Sequence, residues 1–375
     1  MGALYIHIPF CLSKCYYCSF SSTPSAFHLY DPYIAALRKE LSELALTHST
    51  FRLQTLFLGG GTPTVLPMNQ LSDIIRYCRE IFNEGKEAEI SIEANPGTVS
   101  LEYLDILRAA GVNRISFGVQ SFNNKELKNI GRLHDGNEAF NVVDLAKPAG
   151  FTNISLDLMY GLPGQSVASW ESSLLKAITL GVKHLSLYQL TIESGTVFFE
   201  RQENKKLLLP AEEDILQMDE VTSVLCKGAG LQRYEISNYA VTGYECKHNL
   251  NYWLNNEYLA AGAAAVSYQD GKRERRLQDP KLYINCINNG SSVIADTESL
   301  TLEASFRETV IMGLRLVEGV SRRRLYERFG IDVERYYGDT LIGLEKYGLI
   351  ELSATTLRIT DKGRPLSNHV MAELV

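Results

Sequence analysis

From the amino terminus to about residue 191, short runs of β-branched and apolar residues alternate with stretches whose apolar positions recur every three or four residues. The short runs predict strands at Leu4–Ile8, Thr55–Leu58, Glu89–Ala94, Arg114–Val119, Asn153–Met159 and His184–Leu190. Between them lie helical stripes such as Ile34, Leu37, Leu41 and Leu44, which share one face of a 3.6-residue repeat. Strand and helix in strict alternation is the pattern of consecutive βα units on a parallel sheet.

Periodicity alone does not separate an open, doubly wound sheet from an incomplete barrel. The residues that end each strand do help: HIPFC, GGGTPT, EANPG, VQSF, DLMYGLPGQ and YQLT are all polar, Gly-rich or otherwise unusual. In βα barrels the carboxyl ends of the strands converge on one mouth, where the active site is built. An incomplete (βα)6 barrel is therefore expected. Beyond residue 191 the alternation fails, giving a long helix through Glu212–Cys226, a segment YEISNYA, and a stretch from Cys246 to Tyr268. From about Ala304 three helical patterns lead into a short hairpin at Leu349–Ile359 and a last helix, an order that is winged-helix-like. The expected division is a partial barrel over 1–230, a connecting region over 231–303 and a winged-helix-like domain over 304–375.

Composition changes this picture only by exclusion. With 375 residues, 45% hydrophobic and 22% charged, the chain is an ordinary globular protein able to bury a large core. A net charge of −7 offers no general attraction to a phosphate backbone, so nucleic acid is not an expected partner. The one dense basic run, Arg322–Arg324, reads as a solvated helix start. No basic leader precedes a long apolar stretch and no window approaches a membrane span, so a cytoplasmic protein is expected.

The candidate chemistry lies in the cysteines. Seven is an odd number, and Cys11, Cys15 and Cys18 crowd onto one loop just after the first strand, which suits a metal site in a reducing compartment. Three thiolates on a [4Fe-4S] cubane leave one iron without a protein ligand. That iron can chelate S-adenosylmethionine (SAM), whose sulfonium is then cleaved by one electron to a 5′-deoxyadenosyl radical. Structural zinc wants four ligands in paired spacings, and neither His28 nor Cys78 has motif spacing to complete such a set.

The motif Cys11-x3-Cys15-x2-Cys18, in the context YIHIPFC and CYYCSF, resembles that of the radical SAM superfamily. With GGGTPT, DLMYGLPGQ and the carboxy-terminal region, the chain is similar over nearly its whole length to the oxygen-independent coproporphyrinogen III oxidase group, which includes the HemW haem chaperones. The resemblance implies that Gly60, Gly61 and Thr62, beside Gly59, approach the methionyl end of SAM, and that Tyr5 lies beside its adenine. It implies SAM contacts also for Glu93, Gln120, Arg132 and Asp157, whose mixed charges suit a zwitterionic, cationic cofactor. Gln189 and Val266 align less closely with adenine-contacting positions.

Two functions exist in the group, and this sequence departs from the oxidase. The oxidase carries a fourth cysteine two residues after the third, where Phe20 stands here, and a longer amino-terminal segment before the cluster motif. Conversely, His248-Asn249-Leu250-Asn251-Tyr252-Trp253 fits the HNxxYW motif of the chaperone branch and its haem binding. A histidine can ligate haem iron, with Cys246 as an alternative ligand; the C-x-x-C-H signature of covalent attachment is absent. Ser19 replaces the aspartate common in that branch and lies outside the ligand set. The expectation is a haem chaperone with a cluster, SAM and haem, serving an acceptor protein, dependent on an electron donor, and making transient contact with membrane-bound acceptors. The alternative is radical decarboxylation of coproporphyrinogen III propionates.

Overall fold

The computed structural model describes residues 2–375. The six expected strands form, with slight shifts at their ends: β1 (Ala3–Ile8), β2 (Thr55–Gly60), β3 (Glu89–Ala94), β4 (Arg114–Gln120), β5 (Asn153–Tyr160) and β6 (His184–Gln189). They lie side by side in chain order and all run parallel. The sheet then continues instead of closing. Leu259–Ala261 adds parallel to β1 at one edge, while Asn238–Ala240 pairs antiparallel to β6 at the other.

Alternation along the strands explains the curved, one-sided architecture. Leu4, Ile6, Leu56, Leu58, Ile90, Ile92, Ile115, Phe117, Leu156 and Leu185 share one apolar core with helix residues such as Leu37, Leu41, Ile74 and Leu104. The intervening positions are polar: Thr55, Glu89, Ser91, Glu93, Arg114, Ser116, Ser155, Asp157, His184 and Ser186. A sheet with helices on both faces reads as continuous apolar strands, because neither face meets water or polar groups. Here the helices cover one face, and the other becomes the polar lumen of an incomplete barrel.

Residues 231–303 pack into the barrel's own sheet and core. Leu259 and Ala261 enter the main sheet, and Tyr283, Ile284 and Ile287 of helix Pro280–Asn288 join the barrel's own core. A buried ion pair between Glu40 and Arg276 (2.5 Å) fixes this join. Glu40 also accepts from the Tyr283 hydroxyl at 2.6 Å and the Gly262 amide at 2.8 Å, so the carboxylate is fully hydrogen-bonded.

The carboxy-terminal unit has a second core, built from Phe306, Val310, Leu325, Leu344, Leu357 and Val370 among others. Helix Leu302–Gly313, strand Val320–Ser321, helices Arg322–Phe329, Val333–Tyr337 and Asp339–Lys346, and the hairpin Ile350–Leu352/Thr356–Ile359 follow in winged-helix order. The first strand escapes the sequence pattern because two residues carry no period. Within the arginine run, Arg322 pairs with Glu334 and Arg323 with Glu327, each at 2.7 Å. Among the described residues no helix is long and apolar enough to cross a membrane.

Candidate functional site

All six parallel strands end at one mouth, and the cysteine loop lies across it. The two tyrosines between Cys15 and Cys18 hold the loop. Tyr16 and Tyr17 pack on a small apolar cluster of Leu127, Ile130, Met159, Leu162, Leu190 and Phe198, and Arg201 covers the Tyr16 ring at 4.4 Å. The Tyr16 amide donates to the Ile130 carbonyl (3.0 Å), and the Ser21 carbonyl lies 2.8 Å from His7 Nε2. Thus loop shape comes from groups other than the thiols, which stay free and half-buried at Cys11, Cys15 and Cys18. Burial pushes the thiols of Cys11 and Cys18 up. Thr62 Oγ1 lies 3.6 Å from Cys11 Sγ.

Arg132 brings positive charge to this loop. Its guanidinium donates to Cys15 Sγ (3.5 Å), to Asn95 Oδ1 (2.6 Å) and to the Gly118 carbonyl, while its Nε is enclosed without an acceptor. Asn95 in turn donates to Thr62 Oγ1 at 2.8 Å, so one chain of hydrogen bonds links the ends of β2, β3 and β4. Gln120 sits where β4 slips register against β5, in the left-handed backbone region at φ 67°. A Cβ on Gly118 would lie 3.2 Å from both the Arg132 guanidinium and the Gln120 amide, which places these two side chains around the same glycine.

Below the loop, Glu93 and Asp157 face the lumen. Burial, and next the charge of Asp157, pushes Glu93 up to about 7. Asp157 is likewise raised by burial, although Ser116 donates to it at 3.0 Å. Burial raises both carboxyls even though Arg114 acts to lower each, and a further cationic group beside them would favour their charged forms. Glu93 Oε2 accepts from the Gly60 amide at 3.2 Å. Gly60 itself has φ +109°, and a Cβ there would lie 2.5 Å from the His7 ring; a Cβ on Gly61 would lie 2.4 Å from the Phe10 carbonyl oxygen. The glycines thus let β2 close against β1 beside the cysteine loop.

Tyr5 is an inward residue whose hydroxyl lies 3.0 Å from His7 Nδ1 and whose ring stacks on Phe57. Gln189 is exposed at the end of β6. Val266 stands on a separate three-stranded sheet, paired with Arg275. Two mouth residues were missed from the sequence, Asn95 and His7. Both sit inside segments already marked as strand ends, EANPG and HIPFC, and that was their only signal.

Neither His248 nor Cys246, the expected haem ligands, is open to the surface in this structure. Both lie at the opposite, amino-terminal end of the barrel, and both are 0% exposed. His248 spends both ring nitrogens, Nδ1 on Thr55 Oγ1 (2.8 Å) and Nε2 on Tyr252 Oη (2.9 Å), and its ring stacks on Phe57. The Glu89 carboxylate accepts from the amides of Lys247 (3.1 Å) and His248 (3.2 Å) and from Cys246 Sγ (3.5 Å). Buried Arg114 stands beside this carboxylate. The HNxxYW helix, Lys247–Trp253, is the floor of the barrel.

Burial, then the charge of Arg114, lowers His248 to about 3, and burial lowers His134 to about 4. Both folded-state values lie below the ordinary value, so between roughly pH 6.5 and the folded values the unfolded chain binds more protons. Their stabilisation is complete above pH 6.5 and is lost as pH falls towards 3. The urea midpoint difference between the unaltered protein and His248→Gln should therefore shrink from pH 7 to pH 4, a comparison in which the raised carboxyls Glu93 and Asp157, which act in the opposite sense, cancel; a difference that grows over that interval would contradict the burial of a neutral His248.

The Radical SAM superfamily model matches residues 5–177, and the HemN C-terminal domain model matches residues 300–366. "Heme chaperone HemW" of Bacillus subtilis is 38% identical over 99% of this chain and 98% of its own length. The Escherichia coli protein of the same name is 40% identical over 98% of this chain and 97% of its own length. Among solved structures, coproporphyrinogen III oxidase (HemN) of Escherichia coli superposes with a TM-score of 0.87 at 26% identity, covering 100% of this chain and 89% of that one.

Proposed function

Since the chain belongs to the HemW family of radical SAM proteins, we propose that it is a haem chaperone in which Cys11, Cys15 and Cys18 hold the [4Fe-4S] cluster. The observation that carries the chaperone reading is identity of 38–40% along essentially the whole of two chaperones. Phe20, 67% exposed where the oxidase has its fourth cysteine, argues in the same direction.

For the cluster, the support is a loop whose shape is set by Tyr16, Tyr17 and Ser21, leaving three free thiols. Among the described residues no three Cys, His, Asp or Glu side chains converge as they would on a single ion. A cubane, three of whose irons each take one thiolate while the fourth takes none, suits such spacing better than zinc. Arg132 offsets the thiolate charge and orients Cys15 through its hydrogen bond to Sγ. For SAM, the support is the pair Glu93 and Asp157, whose raised carboxyls call for a cationic partner, together with Gln120, Thr62, Gly60 and Gly61 around the mouth. Tyr5, Gln189 and Val266 are assigned to the adenine side on resemblance alone. When bound, the cluster supplies one-electron chemistry at SAM. The protein's own part is to fix the thiols, place carboxylates opposite positive charge, and keep the lumen polar and narrow.

Haem is then cargo, passed to an acceptor protein, including one bound to a membrane, while an electron donor reduces the cluster. Seven unpaired cysteines accord with the cytoplasm. Anaerobic reconstitution followed by haem titration and a coproporphyrinogen III assay tests the reading. Haem binding without propionate decarboxylation is the expected result; robust decarboxylation overturns it.

A further inference from the structure

The crest of the cysteine loop is exposed although the thiols beneath it are half-buried. Leu12 and Lys14 adjoin Cys11 and Cys15, and Phe20, two residues past Cys18, keeps its Cα within about 8 Å of that cysteine's. Ser25 folds the following segment back along the loop, its amide and hydroxyl donating to the carbonyls of Cys11 (3.0 Å) and Leu12 (3.2 Å). Phe27 comes to the surface with that segment, and Leu12 shares the lining of one cleft with Leu133. Leu12, Phe20, Phe27 and Leu133 are thus large apolar side chains left exposed around the thiols.

The charge on this surface is opposite in sign to that of the whole chain. The chain carries −7, yet residues 11–30 hold Lys14 and no carboxylate. Residues 120–134 hold Lys125, Lys128 and Arg132, and their one carboxylate, Glu126, is buried among Ser121, Gln165 and Ser169. Helix Asn124–Asn129 brings Lys128 to the loop, because Ile130 just after it accepts from the Tyr16 amide. Arg201 lies over the ring of the same tyrosine. Acidic groups stand on the flanking helices: Asp135 and Glu138 form the capping box of helix Gly136–Ala146, and Glu200 and Glu203 share helix Val197–Glu203 with Arg201.

An exposed apolar centre edged with positive charge matches a partner with an acidic face. Its place, within a residue or two of the cluster cysteines, suits a partner that delivers an electron. We propose that this crest docks a small, acidic one-electron carrier, with Leu12 and Phe20 under its centre and Lys14 and Lys128 on its carboxylates. The carrier is oxidised by one electron and the cluster reduced by one; no bond is made or broken. Transient redox contacts bury less than about 1,200 Å², so a few apolar side chains and paired charges suffice. The proposal rests on the reading that Cys11, Cys15 and Cys18 hold the cluster.

The test uses the reconstituted full-length protein and two reductants: reduced flavodoxin, an acidic flavoprotein, and photoreduced deazaflavin, which is small and uncharged. Lys14→Glu/Lys128→Glu should slow cluster reduction by flavodoxin about tenfold or more at low ionic strength, and calorimetry should show flavodoxin binding weakened in parallel. Added salt should slow the unaltered protein and narrow the gap. Deazaflavin should reduce both proteins at one rate. Phe20→Ser should weaken flavodoxin binding with its salt dependence unchanged. Equal reduction of the unaltered protein and the double variant by flavodoxin overturns the docking assignment, and the cluster reading stands. Altered sedimentation of the double variant with unchanged flavodoxin binding gives the crest to a second copy of this chain, which also overturns the assignment. If the unaltered protein assembles no cluster, both readings fall.

Discussion

Cys15→Ala should abolish the iron–sulfur absorbance of the reconstituted protein while leaving its secondary structure intact. In the proposed assignment the cluster has three protein ligands, and removing one would leave two irons without a thiolate, which a four-iron cubane does not tolerate. The fold does not share this dependence. Cys15 is half-buried, and the loop keeps the Tyr16–Ile130 hydrogen bond and the packing of both tyrosines. Arg132 loses one acceptor but retains Asn95 and the Gly118 carbonyl, so no buried charge is orphaned. The control is Cys286→Ala, outside the loop, which should keep full iron and sulfide content. Full cluster content in Cys15→Ala would sink the ligand assignment.

Glu89→Ala should cost the apo-protein about 3–5 kcal/mol, the range for removing one partner from a buried charged network. The carboxylate is 5% exposed and serves two amides and a thiol of the floor segment, beside an Arg114 that is 2% exposed. Without it the guanidinium keeps its desolvation penalty and loses its nearest countercharge, and the floor helix loses its N-terminal anchor. Glu89→Gln keeps acceptor capacity and should cost less. Urea denaturation followed by circular dichroism separates the two. The same logic applies to His248→Ala, which should lower stability yet bind haem as the unaltered protein does. Loss of haem affinity without loss of stability in that variant would restore His248 as a ligand.

The strands and the mouth were legible because both are local signals. A strand's apolar repeat and the odd residues at its end lie within ten positions of one another, as in DLMYGLPGQ after β5. The polar alternation of Glu89, Ser91 and Glu93, or Arg114 and Ser116, is in the sequence too, but it marks the lumen of a barrel only once the structure puts the helices on one face of the sheet. The floor was not legible. Nothing in HNxxYW says which end of a barrel it packs against, and its partners Thr55, Glu89 and Arg114 lie more than a hundred residues away, where they look like ordinary strand starts. Asn95 fell between: its segment was marked, but only the contact with Arg132 shows which of its residues turns inward.

The buried His248 and Asn251 of the floor helix, with Cys246 before it, also plug the amino-terminal end of the lumen. Under the proposed assignment, small molecules would enter and leave at the cysteine-bearing mouth, where electrons would also reach the cluster. A protein seated on that rim, where Phe20 and Leu133 stand exposed, would act as valve and contact at once. Turnover of SAM would then report on docking, with no moving part needed inside the barrel.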